Sequence, residues 1–234
     1  MGRDRDTVLA NLAEIRARLE RACERAGRDP ASVRLVAAAK TVEAQAIAWV
    51  RDAGVRDVGE NYVSELRAKR DVLDGVVWHF IGTLQRGSAH HVAELADVVE
   101  TAVPGHAIAR LARRAVEAGR TVPVLIEVDF TGERTGVAPE TVVEAADEIA
   151  ATPGVALAGL MTLPPLPETA EDSRPYFRRL RRLSERVAER HPKARELSMG
   201  MSIDYEVAVE EGATMVRIGT ALFGARPPLD QGRT

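Results

Sequence analysis

The stretch "VRLVAAAK", Val33–Lys40, carries only apolar or small residues between Arg34 and the lysine that closes it. A strand with one wet face would alternate polar and apolar positions. An unbroken apolar run is what a parallel strand shows when both of its faces are covered. The same composition returns in "VPVLIEV", Val122–Val128, and in "VALAGLM", Val155–Met161. Working outward from these three, strand-like runs are read at Val33–Lys40, Val55–Glu60, Val76–Gly82, Val98–Val103, Val122–Phe130, Val155–Thr162, Glu196–Gly200 and Met215–Thr220. Amphipathic helical patterns lie between most of them, as at His106–Ala118, Thr141–Ala151 and Pro175–Arg190. Upstream, Val8, Leu12, Ile15 and Leu19 recur at helical spacing, and Gly27 and Pro30 supply stop signals. Such alternation allows either a doubly wound sheet or a closed barrel. Eight strands with helix-length connections, and no linker or internal repeat, predict a single (β/α)8 TIM barrel with an extra N-terminal helix. Residues 1–234 then form one domain, with the extra helix inside 1–30 and a short tail at 225–234.

Bulk properties narrow the function classes. The chain has 234 residues, 45% of them hydrophobic, enough for one large core. A formal net charge of −3 gives no global basic field, which argues against nucleic acid and anionic membrane as partners. The single cysteine, Cys23, excludes an intramolecular disulfide and a thiolate zinc cluster. It lies near the apolar stripe of the first helix and is expected to be a buried structural thiol. The opening segment "MGRDRDTVLANLAEIRARLE" lacks the apolar core of a signal peptide. No apolar run approaches the roughly 20 residues that a membrane-spanning helix needs. A soluble, cytoplasmic protein is expected.

In an eight-stranded barrel the working residues sit where strands end and the following loops begin. On this chain those positions hold Lys40, "GENY" at Gly59–Tyr62, "WHFIGTLQ" at Trp78–Gln85 and "DFTGERTG" at Asp129–Gly136. "MTLPPLP" at Met161–Pro167, "LSMGMS" at Leu197–Ser202 and "RIGTALFG" at Arg217–Gly224 complete the set. Unusual polar and glycine-rich sequence therefore collects on one face. Barrels commonly hold phosphate between the loops after strands seven and eight, with backbone N–H groups at a helix start. Ser198, Ser202, Gly219 and Thr220 fit that role, although Gly200 and Gly219 could equally serve tight turns. A lysine in a partly desolvated site favours Schiff-base formation with an aldehyde. Lysine opposite phosphate suits two chemistries, a class I aldolase acting on a sugar phosphate or pyridoxal 5′-phosphate (PLP) held as an internal aldimine.

The segments "GENYVSE", "WHFIGTLQ", "GLMT" and "LSMGMSIDYEVAVEEGATMVRIGTALFG", together with the strand-one lysine, resemble the YggS/PROSC family of PLP-binding proteins. The resemblance runs from about Val33 to Phe223. It implies a fold similar to the N-terminal domain of alanine racemase and a role in PLP homeostasis, buffering or delivering the cofactor without established catalysis. It also implies that Lys40 carries PLP as a Schiff base, that Asn61 lines the cofactor pocket, and that Arg217 faces the pyridine nitrogen. Arginine stays protonated, so it donates to an unprotonated ring nitrogen and does not favour the pyridinium that strengthens an electron sink. Racemases that this arrangement resembles carry a second, β-rich domain supplying a catalytic tyrosine. Here about ten residues follow "ALFG", so no such domain is expected.

Three positions depart from the family pattern. Arg86-Gly87-Ser88 follow Gln85 where the family has Asn-Lys, Thr41-Val42-Glu43 follow Lys40 where a second lysine is common, and Arg134-Thr135-Gly136 replace a lysine near a glycine. Cofactor transfer through secondary lysines is thereby put in question. Elsewhere the residues take duller readings. His79 is expected in the core or barrel lumen, His90 and His91 at a helix start, and Tyr62 packed on the second helix. Met161, Met199 and Met201 could touch the cofactor or simply pack at the rim. The basic run "FRRLRRLSERVAERHPKAR" has Phe177, Leu180, Leu183 and Val187 on one side, as a solvated outer helix would. No histidine pair has metal-ligand spacing. Two functional classes remain: a non-catalytic PLP carrier, with apo PLP-dependent enzymes as candidate partners, and a PLP enzyme such as an amino-acid racemase that borrows a base from a second subunit.

Overall fold

The computed structural model describes residues 3–225; residues 1–2 and the part of the tail from 226 to 234 lie outside the described residues. Eight parallel strands close into a barrel in sequence order: β1 (Arg34–Ala38), β2 (Asp57–Glu60), β3 (Val77–Phe80), β4 (Val98–Ala102), β5 (Val122–Val128), β6 (Val155–Thr162), β7 (Glu196–Ser198) and β8 (Met215–Ile218). The barrel closes where Val36 of β1 pairs with Arg217 of β8. The connecting helices are α2 (Ala44–Asp52), α3 (Val63–Arg70), α4 (Ala89–Leu95), α5 (His106–Glu117), α6 (Val142–Ala150), α7 (Arg174–Arg190), α8 (Tyr205–Glu210) and the short α9 (Thr220–Phe223). They follow an N-terminal helix α1 (Arg5–Arg25). The expected fold and extra helix are both present. The strands are shorter than their apolar runs, because the ladder ends before the loop residues do. Lys40 accordingly sits in a turn two residues beyond β1.

α1 begins at Asp4, whose carboxylate accepts the Thr7 backbone N–H at 2.9 Å and so satisfies one of the unpaired donors of the first turn. Its stripe of Val8, Leu12, Ile15 and Leu19 is buried, together with Cys23, against α2, α8 and α9. α7 buries Phe177, Leu180, Leu183 and Val187, as the spacing requires. Its arginines bond acidic residues of neighbouring helices, with Arg174 and Arg178 on Glu211 and Arg190 on Asp147. Among the described residues, no helix is long and apolar enough to cross a membrane.

Most of the core lies between the strands and the helix layer. A second, small apolar cluster of Val36, Leu125, Met161 and Met215 plugs the lumen. The rest of the lumen is polar, and that part positions the site.

Truncating Leu12 leaves a cavity under α1, so Leu12→Ala is expected to cost about 2–5 kcal/mol in denaturant unfolding. Glu20→Ala, on the exposed face of the same helix, should stay within about 0.5 kcal/mol of the parent.

Candidate functional site

At the C-terminal mouth of the barrel a cavity of about 490 Å³ opens, within the usual range for small-ligand sites. Arg3, Lys40, Asn61, Arg134, Met161, Met201, Ser202, Asp204, Arg217, Gly219 and Thr220 all line it. The structure therefore brings together six of the seven sequence-expected binding residues: Lys40, Asn61, Ser202, Arg217, Gly219 and Thr220. Four cationic side chains face the cavity against one carboxylate, Asp204, which is already spent on the Ser173 hydroxyl at 2.6 Å and the Met201 N–H at 2.7 Å. Such a balance selects an anionic ligand.

Ser198 is the exception. It was expected among the phosphate donors, but it is fully buried and does not line the cavity. Its hydroxyl accepts from the Arg217 guanidinium and donates to Glu100. The side chain alternates into the lumen from β7, one layer below the mouth. Ser198 therefore holds Arg217, while Ser202, Gly219 and Thr220 line the cavity itself.

Arg217 is 4% exposed and is the top member of a chain of alternating charges through the lumen. It donates to the Thr162 carbonyl at 2.9 Å, and its guanidinium lies 3.7 Å from Glu100. Glu100 bonds His79 Nδ1 at 2.7 Å, and His79 Nε2 bonds Asp57 at 2.9 Å. Asp57 lies 3.9 Å from Arg34, which also pairs with Glu196 at 2.6 Å. Burial alone would push the His79 ring down, but the carboxylates of Asp57 and Glu100 outweigh it and raise the pKa from 6.5 to about 9. Burial likewise opposes the Glu100 carboxylate, yet His79 and Arg217 hold it below its ordinary value. His79 is thus a lumen residue, as its sequence setting suggests, with a full charge at neutral pH.

The wall between the loops after β7 and β8 is built by backbone. Gly219 starts α9, and a Cβ there would stand 3.1 Å from the Ala38 carbonyl, so glycine lets strand eight turn tightly against strand one. Ser202 accepts the Ala221 N–H at 3.1 Å and so ties the loop after β7 to the same turn. On the opposite wall, Gly82 gives the Asn61 backbone its place: a Cβ at Gly82 would lie 2.1 Å from the Asn61 carbonyl oxygen. Met161 and Met201 face the cavity, whereas Met199 is packed in the main core.

Arg3 escapes sequence reasoning, and Arg134 and Tyr62, although they lie in the strand-end segments, receive no binding role from it. Arg3 folds over the rim, donating to the Phe223 carbonyl at 3.1 Å and pairing with Glu43. The charged segment around it carries no signal that would distinguish it from solvated surface. Arg134 keeps a cation facing the cavity from the loop after β5, where the family pattern has lysine. That loop is shaped by Asp129, which accepts the backbone N–H groups of Thr131 at 2.9 Å and Arg134 at 2.8 Å. Tyr62 is half-exposed at the start of α3, and its ring centroid lies 4.9 Å from Lys40 Nζ, an arrangement worth about 0.5–1 kcal/mol at an exposed site.

A family model described as "Alanine racemase, N-terminal domain" matches residues 10–227. A pyridoxal phosphate homeostasis protein of Aquifex aeolicus is 40% identical over 220 residues, covering 92% of this chain and 96% of its own. One of the same description from Pseudomonas aeruginosa is 39% identical over 226 residues, covering 94% and 96%. Among solved structures, PipY of Synechococcus elongatus with PLP bound superposes with a TM-score of 0.81 at 33% identity, covering 93% of this chain and 100% of that one.

The His79 proton has a signed consequence for stability. Because its folded pKa is raised from 6.5 to about 9, the stabilisation is complete below pH 6.5 and is lost as pH climbs through 9. The difference in unfolding free energy between the parent and His79→Gln should be constant below pH 6.5. It should then narrow by up to about 3 kcal/mol toward pH 9, as measured by urea titration across that range.

Proposed function

Because the chain belongs to the pyridoxal phosphate homeostasis proteins of the alanine racemase N-terminal-domain family, we propose that it binds PLP at the barrel mouth, holds it as a Schiff base on Lys40, and stores or delivers it in the cytoplasm without turning over a substrate. The observation that carries the proposal is the shared cavity itself: one primary amine, a buried guanidinium and a glycine-led backbone turn around a space for an anion. PLP supplies an aldehyde open to reversible imine exchange and an aromatic ring that can delocalise an electron pair.

The residues present fit that group. Lys40 offers the amine that meets the aldehyde. The Ser202 and Thr220 hydroxyls and the backbone at Gly219 suit phosphate oxygens. Arg217 suits an unprotonated ring nitrogen, and Asn61 forms part of the wall. Arg3 and Arg134 add positive charge at the rim, which favours a dianionic phosphate.

The non-catalytic part of the proposal draws on what faces Lys40. A two-base racemisation needs a second acid–base group on the opposite side of the substrate carbon. Among the described residues lining the cavity, the one carboxylate is already bonded, and the other polar groups are arginines, hydroxyls and an amide. Tyr62 is the observation that favours an amino-acid racemase, since it brings a phenol to the mouth. It stands beside Lys40, however, and not across from it. The permanently charged Arg217 also leaves the ring nitrogen without the proton that assists carbanion chemistry. Apo PLP-dependent enzymes are the partners that a delivery role requires.

Protein loaded with PLP should show a visible absorption band that Lys40→Ala loses, and borohydride should fix the cofactor on Lys40 in peptide mapping. Incubation with both enantiomers of a panel of amino acids should give no turnover. Robust turnover abolished by Lys40→Ala would overturn the storage reading. An unlabelled Lys40 and no visible band would overturn cofactor attachment.

A further inference from the structure

A buried charged cluster lies between the turn that carries Lys40 and helix α3, outside the cavity. Lys69, on the last turn of α3 and only 8% exposed, points its amine back toward the barrel. Its Nζ donates to the Ala39 carbonyl at 2.9 Å, to Glu60 at 2.5 Å and to Glu65 at 2.8 Å. Glu65 in turn accepts the Thr41 backbone N–H at 2.8 Å. Ala39 and Thr41 flank Lys40. The carbonyl entering Lys40 and the N–H leaving it are therefore both bound by side chains of one helix.

The turn needs such support. Thr41 has φ +61, a left-handed conformation that a β-branched residue adopts rarely and only when its surroundings impose it. Lys69 Nζ has three acceptors and does not line the cavity, so it is not a competing attachment amine. Glu60 links the cluster to the other wall, because the next residue, Asn61, faces the cavity. One oxygen of Glu60, Oε2, is buried without a partner, and burial raises this carboxyl to about 7 against the pull of Lys69. An isolated stabilising pair would not be built with a buried oxygen left unpaired, whereas a clamp tolerates that cost for the geometry it fixes.

We propose that Lys69, through Ala39 and through Glu65 on Thr41, is a positioning residue that holds Lys40 in the orientation from which its amine meets the cofactor aldehyde. The proposal rests on Lys40 being the attachment lysine and goes beyond it by assigning the device that aims it. Lys69 makes no contact with the cavity, so its effect should appear in covalent attachment and not in recognition of ring or phosphate.

That division gives the test. Two probes are titrated into the full chain: PLP, followed by visible absorption and borohydride labelling of Lys40, and pyridoxine 5′-phosphate, which keeps the ring and phosphate but has no aldehyde. In Lys69→Met, which keeps the buried stem, the rate of Lys40 labelling at fixed PLP should fall on the order of tenfold. Affinity for pyridoxine 5′-phosphate should stay within about twofold of the parent, and the circular dichroism spectrum should be unchanged. Thr41→Gly, which accepts a positive φ without strain, should restore part of the loss when combined with Lys69→Met. Unchanged labelling in Lys69→Met, or an equal loss of affinity for both probes, would overturn the proposal. If Lys69→Met does not fold, Glu65→Gln, which removes the charge that Glu65 offers to both Lys69 and the Thr41 N–H, carries the same comparison. Failure of the parent itself to label Lys40 would instead overturn the attachment on which the proposal rests.

Discussion

The position of the Arg217 guanidinium depends on a chain of alternating charges threaded through the barrel: Arg34, Asp57, His79, Glu100 and, at the mouth, Arg217. His79, Glu100 and Arg217 are buried, Asp57 is partly buried and Arg34 reaches solvent at the far end, so the upper three would be costly alone in a dry lumen. Every charge is flanked by an opposite one, and Ser198 bonds both Glu100 and Arg217, which ties the guanidinium to the carboxylate below it. Removing one partner from such an array typically costs about 3–5 kcal/mol, because the others are left uncompensated. The array is thus a poor source of net stability and a strong source of geometry. It fixes where a permanent cation sits at the base of the cavity.

What the mouth can bind follows from that fixed cation. Lys40, Arg134 and Arg3 bring three more positive groups toward the same space, while the glycine-led turn into α9 offers backbone to an anion. A phosphate and an aldehyde on one small ring satisfy both features. Under the proposed function the amine would supply a bond that can form and exchange, and the charges would supply retention. The cavity also opens at a rim bearing exposed apolar side chains such as Leu166 and Ile203, so its contents lie near solvent.

Much of this was legible in the residues. Apolar runs such as "VPVLIEV" identified strands because both faces of a parallel strand are covered, and eight of them close the barrel. That Lys40, Ser202, Gly219 and Thr220 share one cavity was legible because barrel topology forces strand ends onto one face. Ser198 was misplaced because a serine at a strand end looks the same whether its side chain turns outward to a ligand or inward to the lumen. Side-chain parity decides that, and three residues of β7 are too few to reveal it. His79 was recognised as internal, but its partners Asp57 and Glu100 are about twenty residues away on either side, and only barrel register brings them together. Lys69 with Glu65 has the spacing of an ordinary surface ion pair, so its burial and its grip on the turn of Lys40 left no mark in the pattern.

The account is tested most directly by a crystal structure of the protein grown with PLP. It predicts continuous density from Lys40 Nζ to the aldehyde carbon, the phosphate at Ser202, Gly219 and Thr220, and the ring nitrogen within hydrogen-bond distance of Arg217. Cofactor density that ends short of Lys40, joins another lysine, or turns the ring nitrogen away from Arg217 would contradict it.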